Sequence, residues 1–266
     1  MIPVNEKIKM NFTISSCLQQ AFTGIFFFLA LGGMVLALAV GGFFSTWSAF
    51  QDYEKGLLEY GIHFTILQNT LKTDAVYFFL PIFSTVPFAG SFLEDTESGF
   101  IKSVLPRSGR MYYIAGKILA AGISGGMVPV TGIGMFGGIL QLVLLPMEKQ
   151  VIMEQMNITY GKDIGRVCVL FFCAGMLFAL LGMLFSILTS SKYMAYAAPF
   201  VLEYTLIILH ERYLKNMYMI DPRIWLHPAD GQWFLGELGT MIFMILLVLL
   251  IVLILFAVMI GRVEEL

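Results

Sequence analysis

The residues whose types could do chemistry are few, and most of them sit in one stretch. From Phe92 to Lys117 the chain reads FLEDTESGFIKSVLPRSGRMYYIAGK, acidic where it begins and basic where it ends. One carboxylate elsewhere, Glu203, falls well inside an apolar run, with Tyr204 beside it as a hydrogen-bond donor. An ionisable group so placed faces a cavity or a partner. It reads either as a polar spot on a pathway or subunit seam, or as a carboxyl satisfied by its neighbours. His210-Glu211 has no second histidine at zinc-binding distance, and His63 and His227 fall in segments expected to be solvated loops. Glu264-Glu265 reads as a solvated tail. A phosphate-cradling loop needs a glycine-rich turn followed by Lys and then Ser or Thr. Here the spacing from Gly109 to Gly116-Lys117 is wrong and Ile118 follows, while Gly161-Lys162 has no partner glycine. Neither a Gly-x-Ser-x-Gly turn nor a paired intramembrane aspartate is present. No catalytic residue, metal site or nucleotide site is therefore expected on this chain.

The elements that must position these residues follow from composition. Of 266 residues, 58% are hydrophobic and only 13% charged, with a mean hydropathy of +0.83. A soluble domain needs roughly a quarter of its residues charged, so the solvent implied is lipid. The net charge of −2 and the lack of a basic run leave no nucleic-acid partner to expect. Cys17, Cys168 and Cys173 show no metal or disulfide spacing and read as apolar fillers. The polar first twenty residues carry no small-residue cleavage pattern and do not read as a removable signal.

A membrane-crossing helix takes about 20 apolar residues. That rule predicts an all-α, polytopic protein with a single transmembrane domain over 1–266. Its six spans lie at about 21–44, 75–92, 118–145, 167–188, 194–210 and 240–260. Pro81 and Pro87 interrupt the second and Pro129 the third, which neighbouring helices and water can tolerate. Glycines crowd the third span, with Gly122/Gly126 and Gly134/Gly138 at the spacing that lets helices approach closely. Packing within the chain is the plain reading; a moving or subunit-facing helix is the sharper one. With a cytoplasmic N-terminus, Lys7, Lys9, Lys102, Arg107, Arg110, Lys117, Lys192 and Arg262 lie inside. Lys55, Lys72, Lys149, Lys162, Arg166, Arg212, Lys215 and Arg223 then lie outside. The inside segments are shorter, so basic density favours that orientation.

Between the second and third spans, Phe100, Ile101, Val104 and Leu105 fall on one face at helical spacing. They predict a short amphipathic helix in the segment 94–113, ended by Pro106 and Gly109. This layout resembles the permease subunits of type-2 ABC exporters. Their pattern is an acidic end to the second helix, Glu-x-Gly, an apolar coupling helix, a Pro-x-Ser-Arg turn, and Gly-Lys where the third helix begins. Glu97, Gly99, Leu105, Pro106, Arg110, Gly116 and Lys117 match. The turn Pro106 to Arg110 carries one extra residue. The resemblance also implies an amphipathic N-terminal helix, supplied by about 5–20. It implies as well a short non-spanning element between the fifth and sixth helices, where Met219 to Phe234 holds Pro222, Trp225, Pro228 and Trp233.

The resemblance implies a homodimer served by two copies of a separate ABC ATPase, which binds the ATP and Mg. Phe100, Val104 and Leu105 would contact that ATPase, and Arg107 and Arg110 would pair with its acids. The bland reading makes these basic residues topology determinants at lipid headgroups. Both termini would be cytoplasmic in the plasma membrane. A Met- and Phe-rich interior suits an amphipathic cargo, a toxin or antimicrobial peptide or a lipid-like molecule. Two other readings are an intramembrane enzyme, which needs a convergent nucleophile and base, and a non-transporting anchor or immunity protein, which needs no coupling segment.

Overall fold

The structure, a computed structural model, describes residues 4–54, 61–148, 154–228, 233 and 236–264, with only the backbone for 4–10, 54, 154–163 and 237. Lys55, Lys149, Glu265, part of the 219–234 segment and the side chains of Lys7, Lys9 and Lys162 lie outside the described residues. Regular structure among the described residues is wholly helical.

Helix α1 (Val4–Thr23) is the mixed polar and apolar N-terminal helix. The chain bends at Gly24, where the sequence turns uniformly apolar, and α2 (Ile25–Glu54) follows without a charge until Asp52. The first long helix thus begins four residues later than expected and runs ten residues further. The segment expected as an outer loop instead contains α3 (Ile62–Leu71), which buries Ile66, Leu67 and Leu71.

The second expected span is broken. Helix α4 (Asp74–Thr85) ends before Pro87, which has no N–H to continue a helical ladder. The chain passes through turns at 86–90 and resumes as α5 (Ser91–Glu97). Next come α6 (Phe100–Ser108), α7 (Arg110–Leu144), α8 (Glu154–Thr189) and α9 (Lys192–Arg212). The short α10 (Pro222–Leu226) and α11 (Glu237–Glu264) complete the order. Helices α2, α7, α8, α9 and α11 are long and apolar enough to cross a membrane, whereas α4 has only 12 residues.

The central pair is α7 and α8, against which α4 also packs. Of the two spacings expected for close packing, Gly122/Gly126 acts: a Cβ on Gly126 would sit 2.8 Å from the Phe172 carbonyl oxygen. A Cβ on Gly125 would sit 2.3 Å from the Ala179 Cβ and 2.7 Å from the Ser84 carbonyl oxygen, so α7 meets α8 and α4 nearly backbone to backbone. Gly134 and Gly138, by contrast, face open space. On the outside, α2 exposes Phe28, Leu36 and Phe44, and α11 exposes Leu246, Leu249 and Leu253. Apolar faces this long and continuous are stable against lipid, not water. The chain has the build of a multi-pass membrane protein.

One end of the bundle gathers α6, α1, the starts of α7 and α9, and the ends of α8 and α11. Arg110 pairs there with Glu264 at 2.9 Å, Lys192 with Glu97 at 2.9 Å, and the Arg262 guanidinium donates to the Ile187 carbonyl at 3.3 Å. The described members of the predicted inside set, Lys102, Arg107, Arg110, Lys117, Lys192 and Arg262, all belong to this end. Glu264, at 59% exposure, is solvated as expected and also pairs with Arg110.

Candidate functional site

Helix α6 is held between two glycines in left-handed or related backbone. Gly99 (φ 72) precedes it and Gly109 (φ 83, ψ 140) follows. A side chain at either position would meet the Cβ clash that makes positive φ costly. The nine residues between them turn the chain back from α5 into α7. Pro106 does not end the helix as the sequence reading expects. It sits inside the last turn, at the cost of the one bond its missing N–H would have given to the Lys102 carbonyl, and the helix stops at Gly109.

The apolar face divides. Ile101, at 1% exposure, anchors α6 to the bundle; Val104 and Leu105 are half-buried; Phe100 is 54% exposed. Pro106 and Arg107 are exposed as well. Of the residues expected to touch a partner, Phe100 and Arg107 are presented outward, and Val104 and Leu105 only in part. Glu97 is engaged with Lys192 and Arg110 with Glu264.

Lys117 and Gly116 are not presented at all. Gly116 packs on α1, where an added Cβ would lie 3.3 Å from Cys17 Sγ. Lys117 is 1% exposed, with its ammonium 2.8 Å from Asp95 Oδ2 and 4.7 Å from the centre of the Phe88 ring. It lies in ion-pair contact with Asp95 but off the line of a hydrogen bond. The Tyr113 hydroxyl donates a short hydrogen bond to the same carboxylate oxygen. This knot ties α5 to α7, so Lys117 and Gly116 are internal fasteners and not a docking surface. Burial pushes the Cys17 thiol up, against the pull of Lys117.

Glu203 is fully buried, and neither of its carboxylate oxygens has a hydrogen-bond partner. Tyr204 does not donate to it; its ring packs on Phe78 and Phe200. The side chain is enclosed within the subunit. The neighbouring charges come from the α10 side. Asp221 caps α10 by accepting from the Arg223 amide at 2.9 Å, and the Arg223 guanidinium binds both Asp221 and Glu211. His210 Nδ1 lies 3.1 Å from Asp221 Oδ2.

No protein-family model, curated protein or solved structure matches this chain. Among the described residues no group of three His, Cys, Asp or Glu side chains is placed to hold a metal ion.

The two histidines expected in solvated loops are both structural, which corrects that reading. Glu148, just past α7, accepts from the backbone amides of Gly61 and His63 at 2.9 and 3.1 Å and lies 2.6 Å from His63 Nδ1. It thereby satisfies donors that the start of α3 leaves open. His227 Nε2–H donates to the Leu71 carbonyl at the end of α3, 3.1 Å away. Burial holds this imidazole down to about 4, only partly offset by the hydrogen bond. The segment after α9 is folded onto the bundle: the Trp225 indole donates to the Met219 carbonyl at 2.8 Å, and Trp225 and Trp233 both pack on Phe243 of α11.

Sequence reasoning missed Asp95, Tyr113 and Lys192. A signal for the first two was present. Tyr113 and Lys117 are four apart and share a helix face, and a lysine seven residues into an apolar helix requires an anion from a neighbour.

Proposed function

We propose that the chain is the membrane-spanning permease subunit of an ATP-driven exporter of the type-2 ABC kind. It works as a homodimer with two copies of a separate ATPase that binds ATP and Mg. In this reading α4 and α5 together make a sixth crossing, α6 faces the cytosol, both termini are cytoplasmic, and the bilayer is the plasma membrane. The cargo is amphipathic, most simply a peptide.

The observation that carries the reading is the build of α6: a nine-residue helix set off by two glycines between α5 and α7, anchored by Ile101 and presenting Phe100 and Arg107 outward. A motor closing on ATP moves as a rigid body, and a short anchored helix converts that motion into tilting of the helices it joins. Here the push has defined routes. Ile101 passes it to the core, Glu97–Lys192 to α9, and Arg110–Glu264 to α11. An aromatic and an arginine are the side chains most often found at the energetic centre of a protein contact.

The test is co-purification. Tagged protein from its native membrane is expected to bring down an ATP-hydrolysing subunit. A Phe100→Ala/Arg107→Ala variant is expected to keep its fold and lose most of that subunit. A cysteine at Ser103 should react with an impermeant maleimide in inside-out vesicles and not in intact cells. Labelling from outside, or wild-type yield of the ATPase with the double variant, would remove the proposal.

A further inference from the structure

We propose that the cavity at the end of the bundle opposite α6, lined by α3, α8, α11 and the residues closing α10, binds the phosphate headgroup of an anionic phospholipid. The inference rests on the membrane build of the chain and stands apart from the exporter reading.

The cavity has a volume of ≈ 450 Å³, within the range of small-molecule sites. Two cations line it, Lys72 where α3 ends and Arg166 on α8, and both are exposed. An anion can therefore meet them without entering the protein core. Gln68, one turn before Lys72 on the same face of α3, lines the cavity as a further donor. Among the described residues no carboxylate lines it, and Lys72 has no ion-pair partner. The end of α3 is held in place by His227, which donates to the Leu71 carbonyl at 3.1 Å. His227 itself stays neutral: burial holds its value down, and the Lys72 charge acts in the same direction. Among the described residues the positive charge thus comes from Lys72 and Arg166. Guanidinium and ammonium groups are the usual partners of phosphate oxygens.

The rest of the lining favours a lipid over a free anion. Leu71, Leu170 and Leu226, each buried, form the floor, and Ile164 and Met241 continue it onto α8 and α11. The membrane-crossing lengths of those two helices begin at Ile164 and Leu238. Arg166 and Met241 fall within the first turn of each, so the cavity lies at the depth of headgroups. A phosphate held between Lys72 and Arg166 would let its acyl chains run down helix faces that already meet lipid. Its binding would fasten α3 to α8.

The experiment is native mass spectrometry of the full chain in detergent, titrated with phosphatidylglycerol, with diacylglycerol, and with phosphatidylglycerol against an excess of inorganic phosphate. Phosphatidylglycerol is expected to bind. Lys72→Gln and Arg166→Gln should each weaken it about tenfold, as loss of one charge-assisted hydrogen bond does, and the double variant should abolish it. Both positions are exposed, so the variants are expected to fold. Lys72→Arg, which keeps the charge, should retain binding. Lys215→Gln, on an exposed segment beyond α9, should leave it unchanged. Equal binding by wild type and the double variant would place the lipid elsewhere and overturn the proposal. So would a Lys72→Arg variant as weak as Lys72→Gln, since charge would then not be what is read. Diacylglycerol binding as tightly would show a groove that ignores phosphate. Displacement by inorganic phosphate would show a free-anion site. No binding by wild type would end the proposal outright.

Discussion

Lys117 and Glu203 are both enclosed by apolar helices, and their surroundings differ. Lys117 has a carboxylate at 2.8 Å, itself bonded to Tyr113, while neither oxygen of Glu203 has a hydrogen-bond partner. The Lys117 site links two helices through complementary groups, so removing one member leaves a charge stranded. The Glu203 site holds a polar group where an apolar one would pack better. A buried ionisable residue can therefore be a fastener or a liability, and only its neighbours decide which.

The comparison is tested most sharply at the fastener. Lys117→Met is expected to cost about 3–5 kcal/mol, because Asp95 is left buried without its counter-charge. The double variant with Asp95→Leu should recover most of the loss. Unfolding midpoints in detergent check both, and a mild single variant with no rescue would show that the pair is not coupled.

Next in size is a pH effect at the α10 end. The folded-state value of His227 is held down to about 4 from an ordinary value near 6.5, so the folded protein resists protonation that the unfolded chain accepts. The stability from the neutral imidazole is fully present above pH ~6.5 and is lost as pH falls towards about 4, by up to about 3 kcal/mol. His227→Leu should flatten that part of the profile. A wild-type profile that stays parallel to the variant's would refute it.

At the liability the sign reverses. Glu203→Leu is expected to stabilise by about 1–3 kcal/mol, the cost of an unsatisfied buried polar group. A destabilised variant would mean that the carboxyl has a partner in the folded protein, and the contrast with Lys117 would fail.

The smallest effect belongs to the exposed pair Arg110–Glu264, with side chains 43% and 59% exposed. Arg110→Ala should change stability by at most about 1 kcal/mol. A larger loss would show that this end of α11 is held more firmly than its exposure suggests.

How much was legible in the sequence varies by residue. The long helices were, because an unbroken apolar run such as Ile25–Phe44 or Thr240–Ile260 has one stable arrangement in lipid. The short helix at α6 was legible too, since Gly99 and Gly109 bracket a segment of helical periodicity; its stop at Gly109 and not Pro106 was a matter of local geometry. Helix α3 was not, because its ten residues are too few for a crossing and read as a loop until Leu67 finds the α7 face at Gly137. His63 and His227 misled for the same reason: loop position says nothing about which carbonyl or carboxylate folds over a side chain. The pairing of Lys117 was the least legible, since its partner Asp95 lies 22 residues earlier in the chain.

By itself the sequence determined the solvent and the class of the fold. Where charge is scarce and apolar runs are long, only helices in lipid can bury the surface and satisfy the backbone together. It also marked where the chain must turn, because glycine and proline act through their own backbones. Tertiary structure decided which charges meet: Lys117 with Asp95, Lys192 with Glu97, Arg110 with Glu264. Those pairs join residues from different helices, and whether a buried charge is satisfied depends on distances of a few ångströms that no spacing along the chain encodes.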